Sequence, residues 1–157
     1  MNVEIEFKTR IDENTYKNLL EKFSLESNVF KQINYYFDTQ DLTLNSRKMV
    51  LRIRQKKEDS FKLTLKSQNE QGAFEYHVFI TKEQAHEMME NGFNTGDYFE
   101  QINLPVKHQT SLENYRASMP YESGTLFLDC NIYCGVTDYE IEYEVDHFET
   151  GLKSWNR

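Results

Sequence analysis

The chain is poor in the residues from which special-purpose structure is made: two cysteines, two prolines, one tryptophan and six glycines among 157 residues. Cys130 and Cys134 form a lone C-x-x-x-C, and only four histidines are scattered elsewhere. A structural zinc site therefore lacks ligands, and the thiols are expected to be reduced and partly buried. Neither a P-loop nor a G-x-G-x-x-G occurs, which excludes a phosphate cradle of backbone amides and leaves phosphate binding to side chains. No Pro-, Gly- or Ser-rich linker interrupts the sequence, so a single domain over residues 1–157 is expected, burying roughly two-thirds of its extended-chain surface. No apolar run approaches a membrane span, and the first residues lack the order of a signal peptide. The expectation is a cytoplasmic protein with no membrane partner. Net positive charge is missing as well. At −8 with a pI near 5.0, the chain offers no broad basic surface for a long nucleic acid. A small anion in a locally basic pocket remains compatible with that balance.

What the sequence has is charge of both signs alternating with apolar residues in one segment after another. Glu4-Ile5-Glu6-Phe7-Lys8 is followed by Arg52-Ile53-Arg54, Lys62-Leu63-Thr64-Leu65-Lys66, Glu75-Tyr76-His77 and Glu140-Ile141-Glu142-Tyr143-Glu144. A period of two is the signature of a strand with one apolar and one polar face. Further strands are expected at Gln32 to Asp38, Met49 to Gln55, Phe61 to Lys66, Phe74 to Ile80, Thr125 to Ile132 and Asp138 to Val145. Asp12 is placed to cap a helix whose Tyr16, Leu19, Leu20 and Phe23 form one stripe. Thr81 with Gln84 three residues on is a capping-box signature, and Gly92 ends the helix it starts. Between Asn94 and Ser123 the pattern weakens; Ser111 to Ala117 reads equally as a helical turn or a strand. The class is α+β, dominated by antiparallel hairpins with a few helices outside.

An open sheet would turn its charged side to water and need no further explanation. Yet its apolar side would then have to be covered by only two or three helices. A closed barrel with apolar residues outward under helices, and charged residues inward around a wet cavity, satisfies both faces. Carboxylates two apart on a strand sit about 7 Å from each other and repel by about 2 kcal/mol at an effective dielectric near 20. Gathering Glu4, Glu6, Glu140 and Glu142 is costly unless a divalent cation joins them, and oxygen ligands of this kind suit Mg²⁺ or Mn²⁺. Lys8, Arg52, Arg54, Lys62 and Lys66 form a cationic set, with arginine forks that match phosphate oxygens. His77 is weighed as a proton shuttle or a simply hydrogen-bonded histidine. Tyr35-Tyr36-Phe37 is core before it is a stacking platform, Asp38-Thr39 is turn chemistry, and Lys56-Lys57 is a solvated hairpin tip.

Glu4-Ile5-Glu6-Phe7-Lys8 resembles the E-x-E-x-K signature of the CYTH superfamily, the triphosphate tunnel metalloenzymes. The resemblance continues in the family's order through Tyr36-Phe37-Asp38-Thr39, Leu51-Arg52-Ile53-Arg54, Leu63-Thr64-Leu65-Lys66, Tyr115-Arg116, Leu128-Asp129 and Tyr139-Glu140-Ile141-Glu142. More narrowly, the chain is similar to the CYTH proteins of Gram-positive bacteria labelled as adenylate cyclases. The resemblance implies an eight-stranded antiparallel closed β-barrel, a tunnel with a charged interior, and divalent-metal-dependent hydrolysis of a small triphosphate, inorganic triphosphate first. It implies Glu4, Glu6, Glu140 and Glu142 as metal ligands with Asp129 and Glu75 assisting. It implies Lys8, Arg52, Arg54, Lys66 and Arg116 as triphosphate contacts, to which strand parity adds Lys62. Glu4, Glu6 and Lys8 are the expected catalytic set, and Mg²⁺ or Mn²⁺ the expected cofactor. The stretch before Glu75 departs from many relatives: Gln71, Gly72, Ala73 and His77 stand where an arginine and an extra glutamate are common. Relatives usually continue past the Glu140 strand with a helix and a final basic segment, so the expectation is that either the last helix, beginning near Thr150, is cut short or the tunnel closes differently. A CYTH-type adenylate cyclase and a non-catalytic polyphosphate or nucleotide binder are the alternatives; a monomer and a homodimer both remain open.

Overall fold

The structure, a computed structural model, describes residues 2–69 and 72–145, with the side chains of residues 2–5, 69, 72 and 73 outside that description. The described elements, in chain order, are β1 (Asn2–Ile11), α1 (Glu13–Lys22), β2 (Phe30–Asp38), α2 (Thr43–Ser46), β3 (Met49–Lys57), β4 (Ser60–Asn69), β5 (Gly72–Ile80), α3 (Lys82–Asn91), β6 (Phe93–Asn94), β7 (Pro105–Tyr121), β8 (Gly124–Tyr133) and β9 (Val136–Val145). The described residues divide into two compact units: residue 2 with 33–111, and residues 3–32 with 112–145.

The first unit is an antiparallel meander in which β2, β3, β4 and β5 pair in sequence order. Alternate residues leave opposite faces of a strand, so the pairing gathers Phe37, Leu51, Ile53, Phe61, Leu63, Leu65 and Ile80 on one side. These join Leu44 of α2, Ala85 and Met88 of α3, and Phe99, Ile102 and Val106 in one core. The helix α3 begins as expected from its capping box: the Thr81 hydroxyl accepts from the Gln84 backbone N–H at 3.0 Å, and Gln84 Oε1 accepts from the Thr81 N–H at 2.9 Å. It ends at Gly92, whose φ of 75° lies in the left-handed region. Asp38 does turn chemistry, its carboxylate accepting from the backbone N–H groups of Thr39, Leu44 and Asn45 at 2.7, 2.9 and 3.1 Å.

The second unit pairs β1 with β9, β9 with β8, and β8 with β7, again antiparallel. Its apolar residues form two clusters, Tyr16, Leu25, Ala117 and Leu128 in one, Leu126, Tyr143 and Val145 in the other. The helix α1 is capped by Asp12, which accepts from the Thr15 N–H at 2.7 Å. Of its expected stripe only Tyr16 is buried, packed on Tyr139 with ring centroids 4.8 Å apart; Leu19, Leu20 and Phe23 cover the same cluster from its rim.

Two expectations need correction. The weakly patterned region is largely a single strand, β7, of 17 residues, with a two-residue β6 pairing Phe93 to Val106. Pro105 opens β7, where a missing N–H removes no interior ladder bond. The described residues thus hold nine strands rather than eight. The cysteines are free, but only Cys130 is partly buried. Cys134 is exposed because it forms, with Gly135, the two-residue tip of the β8–β9 hairpin, at φ 49° and 77°. The strand ladders within each unit do not test the closed barrel expected above. The helix expected near Thr150 lies outside the described residues.

Candidate active site

In the second unit, strand register builds an acidic face. Lys8 lies opposite Glu142 and Glu6 opposite Glu144 across the β1–β9 pair, while Asp129 lies opposite Glu140 and Arg116 opposite Asp129 through β8 and β7. The carboxylates of Glu6, Glu142 and Glu144 offer oxygens within 4.8 Å of one another. At that separation two like charges repel by about 3 kcal/mol at an effective dielectric near 20. The strain shows in Glu142, 3% exposed, whose carboxyl is pushed up to about 8 by burial and by the charge of Glu6, against the lowering pull of Lys8 and Arg116. Burial alone would lower the Lys8 ammonium, but Glu142, Glu140, Glu6 and Asp129 raise it above its ordinary value.

Arg116 is held firmly within this face. Its Nε and Nη2 donate to Asp129 at 2.7 and 2.9 Å, its Nη2 to Glu142 Oε2 at 3.1 Å, and its guanidinium lies 4.2 Å from the Phe127 ring centre. Desolvation opposes its charge, but the Asp129 and Glu142 carboxylates keep it protonated. Both Asp129 oxygens accept from Arg116, so the expected metal-assisting carboxylate and the expected phosphate contact are bonded to each other. Glu140 Oε1 accepts from Asn131 Nδ2 at 2.7 Å. The side chain of Glu4, an expected ligand, lies outside the described residues, although its backbone belongs to β1.

In the first unit the corresponding polar face is basic. Arg52 is opposite Thr64 and Tyr36, Arg54 opposite Lys62 and Asn34, and Lys66 opposite Glu75. Arg54 Nε donates to Asn34 Oδ1 at 2.8 Å, and Thr64 Oγ1 lies 2.9 Å from His77 Nδ1. Cations outnumber anions on this face. Burial, together with Lys56, Arg54 and Arg52, lowers the Lys62 ammonium. Burial and Lys62, with Arg52 and Arg54, lower the His77 imidazole, so that at pH 7 it is neutral. Glu75 belongs to this face and not to the carboxylate cluster: it is 4% exposed, with Arg52 Nη2 at 3.8 Å. Arg52 Nε is buried with no hydrogen-bond acceptor among the described residues. A buried guanidinium N–H left without an acceptor is costly, and an anion would satisfy it.

Two faces of opposite sign, with an orphan donor on one and a carboxylate triad on the other, fit the pattern suggested by the E-x-E-x-K segment. The CYTH domain model matches residues 2–156. The chain belongs to the CYTH family.

Among CYTH relatives, "Putative triphosphatase YjbK" of Bacillus subtilis is 30% identical over 162 aligned positions, spanning 99% of this chain and 84% of that protein. A Bacillus halodurans protein described as a putative adenylate cyclase has a crystal structure similar to this one, with a TM-score of 0.89 and 32% identity, over 99% of this chain and 87% of that one. The Hippeastrum protein HpAC1, described as a putative adenylyl cyclase with a dominant triphosphatase activity, shares the fold at a TM-score of 0.74 and 23% identity, over 99% and 84% of the two chains.

Glu144 escaped the reading of the sequence as a site residue. It has the parity of Glu140 and Glu142, so the signal was there, but only its register opposite Glu6 singles it out. Asn114 and Asn131 were also missed, because amides carry no charge pattern.

Proposed function

We propose that this CYTH protein hydrolyses a small triphosphate, inorganic triphosphate first, with Mg²⁺ or Mn²⁺. We further propose, from the family pattern, an antiparallel tunnel with a charged interior, built from the eight strands other than the two-residue β6. The observation that carries the reading is the cationic β3–β4–β5 face, where among the described residues Arg52 Nε is buried without an acceptor and Lys62 and His77 are depressed by burial and by their cationic neighbours. Such a face calls for an anion of high charge density.

The acidic face fits a divalent cation by the chemistry of its donors, which are carboxylate oxygens alone and carry more negative charge than Lys8 and Arg116 offset. Glu6, Glu142 and Glu144 are the proposed ligands, with Glu4, Glu140 and Asp129 kept from the family pattern as further candidates. When bound, the metal would neutralise phosphate oxygens and acidify a water molecule. Arg52, Arg54, Lys62 and Lys66 would bind the phosphate oxygens and hold the chain in line for attack. Lys8 would counter charge on the substrate's phosphate oxygens. Water adds to the terminal phosphorus, the bridging oxygen leaves with diphosphate, and catalysis rests on placing cations where that charge develops. Arg116 would act mainly by holding Asp129 and Glu142 in place.

The test is phosphate release from tripolyphosphate with Mn²⁺ or Mg²⁺, for the native chain beside Glu6→Gln and Arg52→Ala. Loss of turnover by at least tenfold in both variants is expected. Equal rates in all three would refute the assignment. Cyclic AMP formed from ATP would favour the cyclase, and tight tripolyphosphate binding without turnover would favour a binder.

A further inference from the structure

The polar side of the second unit contains a line of three buried amides that ends on a carboxylate. Gln32, Asn114 and Asn131 are 1%, 4% and 6% exposed. Gln32 Nε2 donates to Asn114 Oδ1 at 2.8 Å, Asn114 Nδ2 to Asn131 Oδ1 at 2.7 Å, and Asn131 Nδ2 to Glu140 Oε1 at 2.7 Å and Asp138 Oδ1 at 3.1 Å. The direction of the line follows from its end. An ionised carboxylate can only accept, so Asn131 must turn its NH₂ toward Glu140. Its oxygen then faces Asn114, which must donate, and the same requirement passes to Gln32. The leftover acceptor is at the far end: Gln32 Oε1 is buried with no hydrogen-bond partner among the described residues. A line aligned at the expense of one unsatisfied carbonyl points to a demand at the other end.

That demand is set by Arg10. It lies directly opposite Glu140 across the β1–β9 pair, yet its Nη2 approaches Asp138, at 3.4 Å. Asp138 also accepts from the Tyr133 hydroxyl at 2.9 Å. Without Asn131, Glu140 Oε1 would be open to its cationic cross-strand neighbour.

We propose that Gln32, Asn114 and Asn131 are positioning residues that hold Glu140 by Oε1, deny it to Arg10 and present Oε2 for divalent-metal binding. This rests on the metal-dependent reading above, and it makes Asn131 the group that fixes one ligand's orientation. Loss of a hydrogen-bonding partner behind a metal ligand commonly costs about 10–100-fold in metal affinity.

The test is Mn²⁺ affinity, read by the free Mn²⁺ EPR signal without substrate, beside metal-free melting, for the native chain, Asn131→Leu and Gln32→Met. Both substitutions keep roughly the side-chain length and remove the donor. Asn131→Leu is expected to raise the Mn²⁺ Kd by about tenfold or more. Gln32→Met, two residues back along the line, is expected to raise it by about two- to threefold because it steers Glu140 only through its neighbours. A purely structural role would shift melting and leave Kd alone, and that result overturns the proposal. Gln32→Met also removes the unpartnered carbonyl, so it decides the matter if Asn131→Leu fails to fold: an unchanged Kd overturns the line. If the native chain binds no Mn²⁺, the functional reading itself falls and this inference with it. Native binding that survives both substitutions removes this inference alone.

Discussion

Glu142→Gln should make the metal-free protein more stable, and more so as pH rises. Glu142 is 3% exposed, and its carboxyl is pushed from 4.5 up to about 8 by burial and by Glu6. Because the folded value lies above the unfolded one, the native carboxyl carries no penalty below about pH 4.5. The unfolded chain then ionises first, and stability falls between pH 4.5 and about 8, levelling off above. Each unit of that interval is worth about 1.4 kcal/mol, which sets an upper bound of about 5 kcal/mol. The pull of Lys8 and Arg116 is already contained in that value, but coupling to Glu6 shares the cost between the two carboxyls, so a gain of about 2 kcal/mol at pH 8 is the working figure. Arg116 does not depend on an anion at position 142, because it keeps both Asp129 oxygens and can still donate to the amide oxygen of the variant. For a chain of this size, about 2 kcal/mol corresponds to a Tm increase of about 4–8 °C. Thermal melts of both proteins at pH 4.5, 6 and 8, with chelator and with Mn²⁺, provide the assay. The variant should melt with the native chain at pH 4.5, above it at pH 8, and gain less from Mn²⁺. A variant that melts lower at pH 8, or gains as much from Mn²⁺ as the native chain, would refute the reasoning.

Arg116→Met should destabilise by about 3–5 kcal/mol in denaturant titration, because it strands Asp129 and Glu142 in a buried setting; a change below about 1 kcal/mol would contradict the pairing. His77 should titrate below its ordinary value in the free protein and rise on adding tripolyphosphate, followed by the imidazole proton shifts in NMR, since an anion offsets Lys62, Arg52 and Arg54. Binding would then take up protons and strengthen as pH falls through the His77 range. Leu63→Ala, at a site with no exposure, should cost about 2–5 kcal/mol while leaving tripolyphosphate affinity per folded molecule unchanged, as measured by calorimetry.

Much of this molecule was legible in its sequence. The alternation in Arg52-Ile53-Arg54 and Glu140-Ile141-Glu142 identified strands and told which side of each was polar, because a strand's period of two is a local property. Asp12, and Thr81 with Gln84, marked helix starts for the same reason: a cap is made within four residues. The long β7 was not legible, since its residues 107–110 are nearly all exposed or partly exposed polar groups with no buried face to set a period. What only the tertiary structure decided is which charges meet. Register between distant strands puts Glu144 opposite Glu6, engages Arg116 with Asp129 and Glu142, assigns Glu75 to the cationic face, and aligns Gln32, Asn114 and Asn131 behind Glu140. Sequence alternation says which face a side chain takes. It does not say which residue of another strand stands beside it, because a register shift of two keeps every face and changes every neighbour.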